Sequence, residues 1–167
     1  MSDEEENNFW EDFDDDDEDG FEFDPDEFDP DDFDDEDFEK HRNLPVFKKA
    51  MQVAELTRAV VETFDKDKDV LNMRESMMEH AYILGAKIAG AEGADLYSIR
   101  MENAVLIKIN ARELLASTSW CKEENLCDRD YLQLLRNEIE QFRKLFVEWV
   151  ASFDRTNDIE DDWGIKF

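Results

Sequence analysis

Between Val70 and Ala89 the apolar residues return at helical spacing. Val70, Met73, Met77, Ala81, Leu84 and Ile88 form one row, with Leu71, Met78, Tyr82, Gly85 and Ala89 beside it. Such a stripe marks a helix that buries one face. The pattern breaks at Gly90-Ala91-Glu92-Gly93-Ala94-Asp95 and a second helical pattern starts at once. A helix, a two-glycine turn and a return helix predict an antiparallel hairpin against which the rest of the chain packs.

Two further helical patterns flank the hairpin. The first runs from about Leu44 to Phe64, with Pro45 where a first turn tolerates it. Its stripe is Phe47, Ala50, Met51, Ala54, Val61 and Phe64, widened by Val53, Leu56 and Val60. A polar connector, residues 65–69, ends in Asp69, which suits the cap of the next helix. The return helix should begin near Asp95 and reach about Ser117, with Ile99, Ala104, Leu106, Ile107, Ala111, Leu114 and Leu115 inward. Residues 118–128 form the next connection, holding both cysteines, Cys121 and Cys127. The last helix runs from about Arg129 to Phe153 behind an Asp128 cap, on a core row of Leu132, Leu135, Ile139, Phe142, Phe146 and Val150.

The expected fold is therefore all-α: an up-down-up-down antiparallel four-helix bundle over residues 44–153. Val105, Ile109, Val147 and Trp149 broaden the apolar faces beyond what one bundle core uses. They point to burial between subunits and a homo-oligomer. Residues 154–167 form a C-terminal tail that ends in an aromatic cluster after acid.

Charge divides the chain differently. Residues 1–40 hold 24 Asp and Glu against one Lys, a net of −23, which leaves −5 for the rest of a chain at −28. Like charge at this density resists collapse, so residues 1–43 are expected to be a long, acidic, disordered N-terminal tail. The segment is nevertheless studded with Phe9, Trp10, Phe13, Phe21, Phe23, Phe28, Phe33 and Phe38. From Phe23 onward the phenylalanines recur every five residues, a period that matches neither helix nor strand. Pro25 and Pro30 remove donors as well. Phe21, Phe23, Phe28, Phe33 and Phe38 therefore read as repeated short ligands. Each ring would enter an apolar groove while neighbouring carboxylates meet Lys and Arg of a basic protein partner.

Several chemistries find little support. Asp15-x-Asp17-x-Asp19-Gly20 begins like a calcium loop, but its twelfth position is Asp26, its eighth is Glu22, and Pro25 interrupts the exit. No metal site and no cofactor are expected. Glu-x-x-His pairs, which hold metals in bundles, do not occur: Met77 precedes His80 by three, and Phe38 precedes His41. His80 reads as a satisfied boundary histidine. No glycine-rich phosphate loop is present, so an enzyme is not expected. No apolar run approaches the roughly 20 residues that span a bilayer. The acidic N-terminus is the opposite of a secretory signal, and two cysteines make no disulfide framework, so the expected place is the cytoplasm.

Arg129, Arg136 and Arg143 recur by seven on the last helix with Lys144 adjacent, and Lys108 and Arg112 share a face of the third. This stripe is the candidate nucleic-acid surface. Ordinary pairing within the helix, Arg136 with Glu140 and Glu140 with Lys144, is the plainer expectation. The acidic segment folding back on the stripe would shield it.

Lys87-Ile88-Ala89-Gly90-Ala91-Glu92-Gly93 resembles the Asn-Ile-Ala-Glu-Gly-like turn of a bacterial four-helix-bundle family. That family includes the proteins encoded in intervening sequences of 23S ribosomal RNA genes and the accessory variability proteins of diversity-generating retroelements. Leu44-Pro45-Val46-Phe47-Lys48-Lys49-Ala50 is similar to the family's first-helix start. Ala111-Arg112-Glu113-Leu114-Leu115, with the loop and final amphipathic helix after it, is similar to its layout. The resemblance covers about residues 44–153. Met78-Glu79-His80-Ala81 stands where the family has Arg-Arg-Ala, and the acidic tail is not a family feature. The resemblance implies a ring-like homo-oligomer, commonly a pentamer, without catalysis, some members binding RNA or a reverse transcriptase through basic surfaces.

Two functions are thus expected. The first is a non-enzymatic oligomeric scaffold whose acidic tail binds a basic protein. The second is an RNA-binding bundle with the tail as internal competitor.

Overall fold

The computed structural model describes residues 41–159 and 167. Among them the chain is all-helical: α1 (Pro45–Glu62), α2 (Met73–Glu92), α3 (Tyr97–Glu123) and α4 (Arg129–Ala151). α1 packs against α2 and α4, and α3 packs against the same two. The core at the centre of this ring draws on all four helices, with Val53, Val61, Met77, Leu84, Ile88, Ile107, Leu114, Leu135 and Phe142 buried. His80 on α2 meets Asn110 on α3, and Met77 meets Cys121, so residues later in α3 face residues earlier in α2.

Each helix begins by a different device, and the departures from expectation are where α2 starts and what caps α3. An isolated helix start leaves its first N–H groups without partners. At α1, Leu44 is extended and Pro45 takes the first helical position. At α4, Asp128 accepts from the Asp130 N–H at 2.8 Å, as expected. At α2, Asp69 bonds the N–H groups of Met73 and Arg74 at 2.7 and 3.1 Å, while Asn72 adopts a left-handed φ of 54°. Those bonds hold Val70 and Leu71 outside the helix, 80% and 61% exposed, although both continue the apolar row.

The α2–α3 turn also moves. Gly90 and Ala91 continue α2, which ends only at Glu92, so the break narrows to residues 93–96. At α3 the expected Asp95 cap is replaced by the segment after α4. The Tyr97 N–H donates to the Asn157 carbonyl at 2.8 Å, the Ser98 N–H to Asp158 Oδ1 at 3.1 Å, and Asn157 Nδ2 to the Asp95 carbonyl at 3.0 Å. Residues 157–158, expected within the C-terminal tail, thus cap α3. The bonds from Ser98 hold the Asp158 carboxyl below the usual carboxylate range.

α3 also runs on through Thr118, Ser119, Trp120 and Cys121, which were expected in a connection. Ser117 and Thr118 turn their hydroxyls onto the Glu113 and Leu115 carbonyls of their own helix, so they are buried without an unmet donor. Cys121 is therefore a core residue, and only Cys127 remains in the connection.

Other expected core positions fall differently. Met51, Ile99 and Leu106 are exposed, whereas Trp149 is only 8% exposed. Trp149 therefore does not extend an outer face. It donates to Glu92 Oε1 at 2.8 Å and meets Phe153 edge-on at 4.7 Å. Arg100 pairs with the same Glu92 oxygen and lies 4.2 Å over the Phe153 ring. Glu92, Arg100, Trp149 and Phe153 tie α2, α3 and the end of α4 together. Val105, Ile109 and Val147 do stand exposed. At the start of the described chain, His41 is buried edge-on to Phe47 at 4.9 Å.

Candidate functional site

The α3–α4 seam opens into a groove of about 290 Å³. Its floor consists of residues read from the sequence as core rows: Ile107, Ala111 and Leu115 from α3, and Ile139, Phe142 and Phe146 from α4. Ala111 contributes only a methyl to this floor. Leu115 and Phe146 beside it are half-buried.

The rim is cationic. Lys108 and Arg112, one turn apart on α3, face Arg136 and Arg143 on α4, with Glu140 the one acid among the lining residues. A second hollow, sharing Arg136 with the first, is lined by Thr118, Ser119, Lys122, Arg129 and Gln133 together with the acids Glu123 and Asp130. Lys108, Arg112 and Lys122 from one helix and Arg129, Arg136 and Arg143 from the other therefore line a single strip. On a chain of net charge −28 this strip is locally positive.

The cations are not equivalent. Arg136 is held: its Nη1 donates to the Leu115 carbonyl at 3.2 Å, to Thr118 Oγ1 at 2.7 Å and to Ser119 Oγ at 3.1 Å. The expected Arg136–Glu140 pair is not what fixes it. Arg136 bridges the two helices because Thr118 and Ser119 stay helical. Arg143 makes a two-pronged pair with Glu140, Nε to Oε2 at 2.7 Å and Nη2 to Oε1 at 2.6 Å. The Arg143 hydrogen bonds lower the Glu140 pKa, with a smaller contribution from the charge of Lys144. Both side chains are exposed, so the pair is screened and exchangeable. Lys144, exposed on α4, lines neither hollow. The structure thus brings together Arg129, Arg136, Arg143, Lys108 and Arg112, and leaves Lys144 aside.

Thr118 and Ser119 were not foreseen as part of this site. The only signal was the hydroxyl pair following the α3 apolar row, which reads equally well as a loop.

Elsewhere, His80 Nδ1 lies 2.8 Å from Asn110 Oδ1, which accounts for that histidine. Lys49 of α1 reaches Glu138 at 2.6 Å and Gln141 at 3.2 Å on the opposite side of α4 from the groove. Among the described residues no cluster of three or more His, Cys, Asp or Glu could hold a metal, and no helix is long and apolar enough to cross a membrane. Phe21, Phe23, Phe28, Phe33 and Phe38, and the calcium-like run from Asp15 to Asp26, lie outside the described residues.

A scan against models of known protein families finds no match, and no curated protein matches the sequence.

Proposed function

We propose that this protein is a non-enzymatic, oligomeric binding adaptor: a helical body that carries a recognition groove, joined to an acidic, phenylalanine-studded arm that captures a basic protein. The α3–α4 groove is the observation that carries the reading. An apolar floor ringed by guanidinium and ammonium groups supplies burial for an anchor and charge for its flanks, which is the chemistry of segment recognition. The arm presents the complementary pattern, rings among carboxylates. The two free thiols fit work in the reducing cytoplasm.

The test is affinity capture with the full chain and with a variant carrying Phe→Ser at Phe21, Phe23, Phe28, Phe33 and Phe38. Basic proteins held by the parent should be lost by the variant; an unchanged set of captured proteins contradicts the reading. Self-association through the exposed Val105 and Ile109 is tested by light scattering. A mass above the 19.8 kDa of one chain should fall to it in Ile109→Glu.

A second reading, an RNA-binding bundle with the acidic arm as competitor, is favoured by the continuity of the strip from Arg143 to Arg129. Phosphate recognition by such a strip is steeply salt-dependent. RNA affinity that rises when the arm's carboxylates are neutralised would support it. The apolar floor between the two cationic rims favours a protein ligand over a phosphate backbone.

A further inference from the structure

We propose that the α3–α4 groove is the docking site for residues 21–38 of a second copy of this chain. This rests on the reading of the groove as a recognition surface and names its occupant.

Three observations carry it. The first is composition. Residues 21–38 consist entirely of five phenylalanines, two prolines and eleven acids. The groove asks for an apolar anchor with anionic flanks on both sides; residues 9–19 also set rings among acids, but only residues 21–38 return a ring every five residues, from Phe23 to Phe38.

The second is dimension. The groove's roughly 290 Å³ lies at the small end for a binding pocket, about 300 Å³, which suits a single aromatic side chain with its backbone. Fourteen residues separate Lys108 from Lys122 on α3, and fourteen separate Arg129 from Arg143 on α4, about 21 Å of helix in each case. An extended five-residue Phe repeat covers about 17 Å. With one ring seated over Ala111, the carboxylates up to the next ring lie along the strip: first Lys108, Arg112 and Arg143, then Arg136, Lys122 and Arg129. The pair between Arg143 and Glu140 is exposed, so Arg143 is free to exchange partners at little cost.

The third observation selects a second copy. Val147 lines the groove and is 53% exposed, and Val105 and Ile109 stand exposed on α3, the helix that forms one wall. A bare segment in the groove leaves them in water, whereas the body of a neighbouring copy covers them as it delivers its segment. A contact of arm on groove joins unlike surfaces, so repetition closes a ring or extends a chain. The arm's charge is then met by the protein's own cations until a more strongly basic partner displaces it.

The test uses the full chain with a photo-crosslinking residue at Phe28 or Phe33, mixing isotopically heavy and light copies. Crosslinks joining heavy to light chains should place the segment on α3–α4 peptides around Ala111 and Val147. Arg112→Glu with Arg143→Glu, both exposed and outside the core, should lower their yield about tenfold at unchanged helicity, as should high salt. Crosslinks to the groove confined within single chains overturn the second-copy assignment and leave the groove reading standing. Crosslinks scattered over the body, indifferent to the double charge reversal, overturn both.

Discussion

Cys121 and Cys127 stand six positions apart in very different surroundings. Cys121 is sealed against Met77 with its Sγ 3.6 Å from the Met sulfur, and burial pushes its thiol up to about 12. Cys127 is partly exposed and its thiol is raised as well, again chiefly by burial. Thiolate is the reacting form. Native protein at mildly alkaline pH should therefore add one alkyl group slowly, at Cys127, and a second only on unfolding, by mass spectrometry. A thiol whose folded pKa exceeds its unfolded 9.0 keeps its full stabilising effect below that value, and the effect declines as pH rises from there toward 12. Thermal midpoints should fall across that alkaline window in the parent and fall less in Cys121→Ala, measured relative to each protein's own value near neutrality. At the other end of the bundle, Glu92 accepts from both Arg100 and Trp149. Glu92→Ala removes both charge-assisted bonds and leaves a half-buried guanidinium, at a cost of about 2–3 kcal/mol in denaturant unfolding. Leu84→Ala, which opens a cavity, should cost about 2–5 kcal/mol.

At the scale of elements, the four helices were legible because their apolar rows keep a 3.6 period over many turns. Their ends were not, because the ends depend on partners that no local pattern records. Val70 and Leu71 extend the α2 row, yet two bonds to Asp69 start the helix later. The Gly90-Ala91 pair looks like a break, yet it lies inside a helix with Asn103 beside Gly90. The α3 start is capped from some 60 residues downstream. Legibility of the groove follows the same line. Its cations and floor residues were each visible as stripes, but the sequence could not show that the α3–α4 seam opens or that Thr118 and Ser119 hold Arg136. Gly85 illustrates how the helices approach. A Cβ there meets Met51 Sδ at 3.3 Å, the far end of an exposed, flexible side chain. Gly85→Ala should therefore gain helix propensity of about 0.5–1 kcal/mol after a small shift of Met51, seen as a higher denaturation midpoint. Asp158 supplies the acid-side counterpart. Its folded pKa is depressed by the Ser98 bonds, so its contribution is present above the ordinary aspartate value, about 4, and is lost as pH falls through the lower folded value. Amide exchange at Tyr97 and Ser98 should accelerate there, and should already be fast at neutral pH in Asp158→Ala.

At the scale of the whole molecule, negative and positive charge are sorted into two parts. Of the net −28, −23 belongs to residues 1–40, while the helices gather Lys108, Arg112, Lys122, Arg129, Arg136 and Arg143 along one seam. We hold that this sorting is the device by which the protein recognises its ligands, with the α3–α4 groove reading rings set among carboxylates. The most direct measurement is the fluorescence anisotropy of a labelled peptide of residues 20–39 titrated with the full chain at low and moderate salt. The account predicts saturable binding that weakens with salt and is lost on Arg112→Glu with Arg143→Glu or when the peptide's phenylalanines become serines. Equal binding by the parent and the charge-reversed chain, or no dependence on the rings, would contradict it.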